Sequence, residues 1–79
     1  MRVQLFAALH ERLGRRELEV PDGDVATVAA LDAWLRAAHP ELARAAFRVA
    51  VNRRYAAADD AVTPRDEIAL IPPVSGGRR

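Results

Sequence analysis

The residues with the clearest chemical potential in this chain are its last eight, Pro72-Pro73-Val74-Ser75-Gly76-Gly77-Arg78-Arg79. Two prolines stiffen the exit from the final apolar run by restricting φ, and two glycines then remove all side-chain bulk. A segment of this kind reads as a probe that leaves the folded body and threads a narrow channel in another protein. Fully extended, Pro72 to Gly77 reach about 20 Å at roughly 3.3 Å per residue. The group delivered at the tip would be the backbone carboxyl of Gly77 rather than a side chain. As written, Arg78 and Arg79 hold that carboxyl in a peptide bond.

The rest of the chain offers little chemistry of its own. There is no cysteine, so no disulfide, thiolate nucleophile or cysteine-bound metal is expected. His10 and His39 are the only histidines, too few for an ordinary histidine-based zinc site, and no metal is expected. All twelve basic residues are arginine, so no lysine amine can form a Schiff base or accept a conjugate. Asp59-Asp60 is an adjacent carboxylate pair, and a solvated turn accounts for it. With no phosphate-cradling glycine loop either, a stand-alone enzyme has nothing to work with.

The body that must present the tail is small. Its 79 residues are 51% hydrophobic, which suits a single domain held by packing alone. The net charge is +1, and Arg15-Arg16 and Arg53-Arg54 are balanced by Glu11, Glu17, Glu19, Asp59 and Asp60. That mixed-sign surface excludes the one-sided basic field of a nucleic-acid binder. No apolar run is long enough to span a bilayer, and Met1 to Phe6 lack the pattern of a signal peptide, so the cytoplasm is the expected compartment.

Hydrophobic periodicity sets out the elements. Arg2 to Ala7 alternates as a half-buried strand does, and His10 to Gly14 reads as a short helical turn closed by glycine. Arg15 to Val20 alternates again, with Leu18 and Val20 on one face, and Pro21 to Asp24 is turn chemistry. Thr27 caps the clearest helix, in which Val28, Leu31, Leu35 and Ala38 recur at helical spacing until His39 and Pro40 end it. Trp34 is expected in the core, and Glu41 to Ala46 in a further short turn. Phe47 to Val51 forms a strand, Asn52-Arg53 a tight turn, and Tyr55 a short strand. Glu67 to Ile71 is the last strand, with Ile68 and Leu70 facing away from Ile71. One amphipathic helix after a hairpin must cover a single sheet face, which predicts an α+β roll with the first and last strands together in the middle.

The element order and the tail together resemble the ubiquitin-like sulfur carriers, specifically the small subunit of molybdopterin synthase (MoaD-like proteins). The matching residues are Leu5-Phe6-Ala7, Leu13-Gly14, Thr27-Val28, Val49-Ala50-Val51-Asn52, Asp66-Glu67 and Ile71-Pro72-Pro73-Val74-Ser75-Gly76-Gly77. The resemblance implies a ubiquitin-like β-grasp roll over residues 1–71, a mixed sheet of about five strands with one main helix, and a flexible tail over residues 72–79. It also implies a cycle. A ubiquitin-activating-like enzyme spends ATP to adenylate the Gly77 carboxylate, and sulfur replaces the adenylate to give a thiocarboxylate. The tail then enters the large synthase subunit and donates sulfur to a cyclic pyranopterin precursor. By the same resemblance, Gly76 and Gly77 carry the reactive end and Val74 and Ser75 line the partner's channel with Pro72 and Pro73. Phe6, Tyr55 and Ile71 are the docking candidates on the sheet face the helix leaves open. The chain itself would bind no cofactor.

The family pattern ends at the second glycine, and Arg78-Arg79 depart from it. Trimming by a protease, an artificial addition and loss of carrier activity are the competing explanations. Sulfur delivery to thiamine or tRNA, conjugation as a protein modifier, and a plain interaction module remain open beside the molybdopterin reading.

Overall fold

The structure, a computed structural model, describes residues 1–23 and 25–73. Five strands form one sheet in the order β2-β1-β5-β3-β4, with β1 at Arg2–Leu5, β2 at Glu17–Glu19, β3 at Arg48–Val51, β4 at Arg54–Tyr55 and β5 at Ile68–Ile71. Among the described residues two α-helices accompany it, α1 at Ala7–Leu13 and α2 at Val28–Ala38. β1 and β5 pair in parallel, and every other pairing is antiparallel. This is the α+β, ubiquitin-like β-grasp arrangement that the element order implies, with β5 central and β1 beside it.

Alternation sets the two faces. Val3 and Leu5 of β1, Leu18 of β2, Val49 of β3, and Ile68 and Leu70 of β5 join Val28, Leu31 and Leu35 of α2 in one apolar cluster. Among the described residues no polar or charged residue is buried. Each fully buried leucine contributes about 2 kcal/mol, so this cluster carries most of the stability of so small a domain.

Helix α2 shows how its own sequence and the chain around it share the work. Thr27 accepts from the Ala30 amide at 3.2 Å, as the sequence predicts for an N-cap. The Val28 and Ala29 amides, which the helix leaves unpaired, donate to the carbonyls of Asp60 (2.9 Å) and Ala58 (2.8 Å). A Thr27–Ala61 bridge continues that contact. Asp60 shapes the loop by accepting from the Ala57 amide at 2.8 Å, which is the turn role expected of Asp59-Asp60.

Some boundaries differ from the sequence reading. The helical turn expected at His10–Gly14 is a helix beginning at Ala7, which shortens β1 to four residues. Leu9 is the reason: it is buried, and the bend at Ala7 with the helical backbone after it carries Leu9 into the core. Gly14 closes α1 at φ 71°, donating its amide to His10 at 3.0 Å, a conformation that suits glycine. The turn expected over Glu41–Ala46 is a 3₁₀ turn over Pro40–Leu42. Beyond it the Arg36 guanidinium donates to the carbonyls of Leu42 and Ala45, at 2.8 and 2.9 Å, and the Leu42 carbonyl also accepts from the Ala45 amide at 3.1 Å. Trp34 is half-buried at the edge of the core rather than within it, edge-on to His39 with ring centroids 6.3 Å apart.

Candidate functional site

The face of the sheet away from α2 is built from the alternate residues of the same strands. One row crosses all five: Glu17 opposite Gln4, Gln4 opposite Ala69, Ala69 opposite Ala50, and Ala50 opposite Tyr55. The two alanines are the small members of that row. Between larger neighbours they leave a groove of about 540 Å³. Phe6, Tyr55 and Ile71 wall it, and Gln4, Arg53 and Glu67 complete its lining.

Phe6 and Tyr55 are the large hydrophobic side chains left exposed among the described residues, at 47% and 53%. A surface with so little other apolar bulk rarely spends two aromatics in one place without an interaction to serve. Phe6 reaches this face because its backbone stays extended, at φ −117° and ψ 150°, so it continues the alternation of β1. Tyr55 is held by Arg48, whose guanidinium carbon lies 4.1 Å from the ring centroid. Ile71 is half-buried and faces opposite to Ile68 and Leu70, as expected from the strand pattern.

The other end of the groove is fixed by a polar network. Asn52 and Arg53 form the two-residue turn between β3 and β4, with φ of 54° and 69°. Positive φ at both positions matches the twist of a tight hairpin. The Asn52 amide donates to Glu67 at 2.7 Å, its side-chain nitrogen donates to Asp66 at 3.0 Å, and its oxygen accepts from the Glu67 amide at 2.9 Å. Asp66 also accepts from the Thr63 amide at 2.8 Å. The Asn52 hydrogen bond, with that of Thr63 second, holds the Asp66 carboxyl below its ordinary range. Arg53 and Glu67 then face each other at 3.7 Å across the rim, an exposed pair that orients more than it stabilises.

The root of the tail lies at this groove. β1 and β5 run in parallel with Leu5 opposite Leu70, which brings the following residues, Phe6 and Ile71, to the same end of the sheet. Pro72 is half-buried and Pro73 exposed as the chain leaves. Val74, Ser75, Gly76 and Gly77 lie outside the described residues. The family resemblance named Phe6, Tyr55 and Ile71 as docking candidates, and all three line one groove; it did not assign Gln4, Ala50, Arg53, Glu67 or Ala69 to that face. Two alanines in a chain full of alanine carry no signal, and only strand register reveals that they are neighbours. No group of His, Cys, Asp or Glu able to hold a metal occurs among the described residues.

Comparison with known proteins decides the family. The ThiS family model matches residues 3–77. The chain belongs to the ThiS family. Small archaeal modifier protein 1 of Haloferax volcanii is 42% identical over 88 aligned positions, covering 98% of this chain and all 100% of that protein. The molybdopterin synthase sulfur carrier subunit of Arabidopsis thaliana is 33% identical, covering 98% of this chain and 82% of the relative. Among solved structures, the crystal structure of the Haloferax protein superposes with a TM-score of 0.79 at 37% identity, over 96% of this chain and 97% of that one. A putative molybdopterin converting factor subunit 1 from Pyrococcus furiosus gives 0.75 at 26% identity, over 92% and 95%. This member of the ThiS family is therefore a sulfur carrier of the ThiS/MoaD type or a ubiquitin-like modifier. No helix among its described residues is long and apolar enough to cross a membrane.

Proposed function

We propose that this ThiS-family chain is the sulfur carrier of molybdopterin synthase, acting in the cytoplasm. Its Gly77 carboxylate attacks ATP on a ubiquitin-activating-like enzyme, releasing pyrophosphate and leaving an acyl-adenylate. A carboxylate is a poor electrophile, and AMP is a good leaving group, so a sulfur nucleophile can then displace it to give a thiocarboxylate. The large synthase subunit receives the loaded tail, and sulfur passes to the cyclic pyranopterin while the carboxylate is regenerated.

The observation that carries this reading is the apolar groove at the root of the tail. Phe6, Tyr55 and Ile71 give a partner something to grip beside the point where Pro72 and Pro73 direct the chain outward. Prolines reduce the ordering entropy lost when Val74, Ser75, Gly76 and Gly77 enter a channel, and glycines pass where a Cβ would not. ATP is used by the partner, and no cofactor resides on this chain. A protease removes Arg78 and Arg79 first, because an internal peptide carbonyl cannot be adenylated. Intact mass of the protein from its own cells tests that step: an active form still carrying both arginines contradicts it.

A second reading rests on the 42% identity to small archaeal modifier protein 1, namely attachment of Gly77 to target amines. One reconstitution separates the two. Thiocarboxylated chain ending at Gly77 is mixed with the large synthase subunit and the pyranopterin precursor. Formation of the dithiolene supports the carrier, whereas adducts to lysine in cell extract without dithiolene formation support the modifier.

A further inference from the structure

We propose that Ala7 is a positioning residue whose left-handed backbone fixes the direction of the Phe6 ring. This rests on the reading of the groove as the docking face. Among the described residues three non-glycines have positive φ: Ala7 at 52°, Asn52 and Arg53. The last two are explained by the hairpin turn they form. Ala7 instead lies in the single turn that the Leu9 amide closes on the Phe6 carbonyl, between strand and helix, and a residue with a Cβ is disfavoured at its φ.

The neighbours show why the bend falls on this residue. Leu5 is buried, paired opposite Leu70, and donates its amide to Arg16 at 2.8 Å. Leu9 is buried at 3% exposure and donates to the Phe6 carbonyl at 3.1 Å. Only Phe6, Ala7 and Ala8 lie between these anchors, and the chain must change there from strand to helix. Phe6 keeps extended geometry, so the positive φ of the turn falls on Ala7. Were the bend shared with Phe6, the ring would leave the alternation of β1 and swing away from the groove. Strained conformations held by their surroundings concentrate where a side chain must be aimed.

The alanine Cβ also narrows the choice. Between the anchors at Leu5 and Leu9 alanine takes φ 52°, and its Cβ closes the mirror-image extended region. Glycine at this position would accept φ 52° without strain and would also reach that region. The backbone gains comfort, and Phe6 loses its fixed aim.

The test is a double-mutant cycle on the full chain, reading thermal stability and the dissociation constant for the cognate adenylating enzyme. For Ala7→Gly the melting temperature is expected to hold or to rise by up to about 5 °C. Affinity is expected to weaken about three- to tenfold, and in the Phe6→Ala background Ala7→Gly is expected to change affinity no further. A purely structural role would move stability and affinity in the same direction and act additively with Phe6→Ala. If Phe6→Ala weakens binding while Ala7→Gly does not, or if Ala7→Gly lowers the melting temperature, the positioning role is wrong and the docking face stands. If Phe6→Ala leaves binding unchanged, or the unaltered chain does not bind the enzyme, the docking face falls and the role of Ala7 falls with it.

Discussion

Asn52 and Asp66 do more for this surface than their types suggest. Their side chains meet at 3.0 Å and tie the β3–β4 turn to the start of β5, which places Arg53 and Glu67 at the groove rim. Because Asp66 has a folded-state pKa below its ordinary value of 3.8, its carboxylate stabilises the fold at pH above that value. The contribution fades as pH falls through the lower folded-state value. Thermal melts across pH should therefore show Asp66→Asn less stable than the unaltered chain at neutral pH, with the gap closing in acid. A gap that persists unchanged at the acid end would refute the linkage. Arg53 makes the opposite case, since its φ of 69° is a strained choice for arginine. Arg53→Gly should raise stability by about 0.5 kcal/mol, measured by urea denaturation. At this scale the sequence was only partly legible. Phe6, Tyr55 and Ile71 are docking candidates through the family resemblance, and alternation adds only that Ile71 faces away from Ile68 and Leu70. Asn52 and Asp66 were visible as turn chemistry, but a contact between residues 14 apart depends on strand pairing that no local pattern encodes.

Arg36 has a comparable role among the elements. From the last turn of α2 it donates to the carbonyls of Leu42 and Ala45, and its guanidinium lies 4.3 Å from the centroid of the Phe47 ring. It thus joins the helix to the segment that leads into β3. Removing it takes a donor from both carbonyls, although Leu42 still accepts from the Ala45 amide, so Arg36→Ala should cost about 1–2 kcal/mol, readable as a lower denaturant midpoint with an unchanged slope. Thr27→Ala should cost about 1 kcal/mol through loss of the cap. Helix α2 was plain from sequence because Thr27, the Leu31–Leu35 spacing and Pro40 agree with one another. Helix α1 was read short because Leu5-Phe6-Ala7 continues an apolar run, and nothing local says that the strand stops at Leu5. Similarly, Arg36 holds the Ala45 carbonyl where the sequence pattern of Glu41–Ala46 invites a helical bond, a tertiary override of local preference.

For the whole molecule, the arrangement separates stability from delivery. The α2 side of the sheet carries the apolar cluster, while the opposite side carries the groove and the root of the tail. Tyr55→Ala and Phe6→Ala should therefore weaken docking to the adenylating enzyme about tenfold or more each, with little change in melting temperature, as exposed anchors at an interface do. Equal losses of stability and binding would place those rings in the fold instead. The β-grasp topology followed from element order, but the molybdopterin proposal rests on the groove at the root of the tail together with the likeness to relatives, since topology alone is shared by carriers and modifiers. The most direct test of the account is the fate of the Gly77 carboxyl. A chain ending at Gly77 is incubated with the cognate adenylating enzyme, ATP and a sulfur source, and its intact mass is measured. The account predicts a gain equal to the difference between a sulfur and an oxygen atom, absent without ATP. An unchanged mass, with the same enzyme loading another carrier in a parallel reaction, would contradict it.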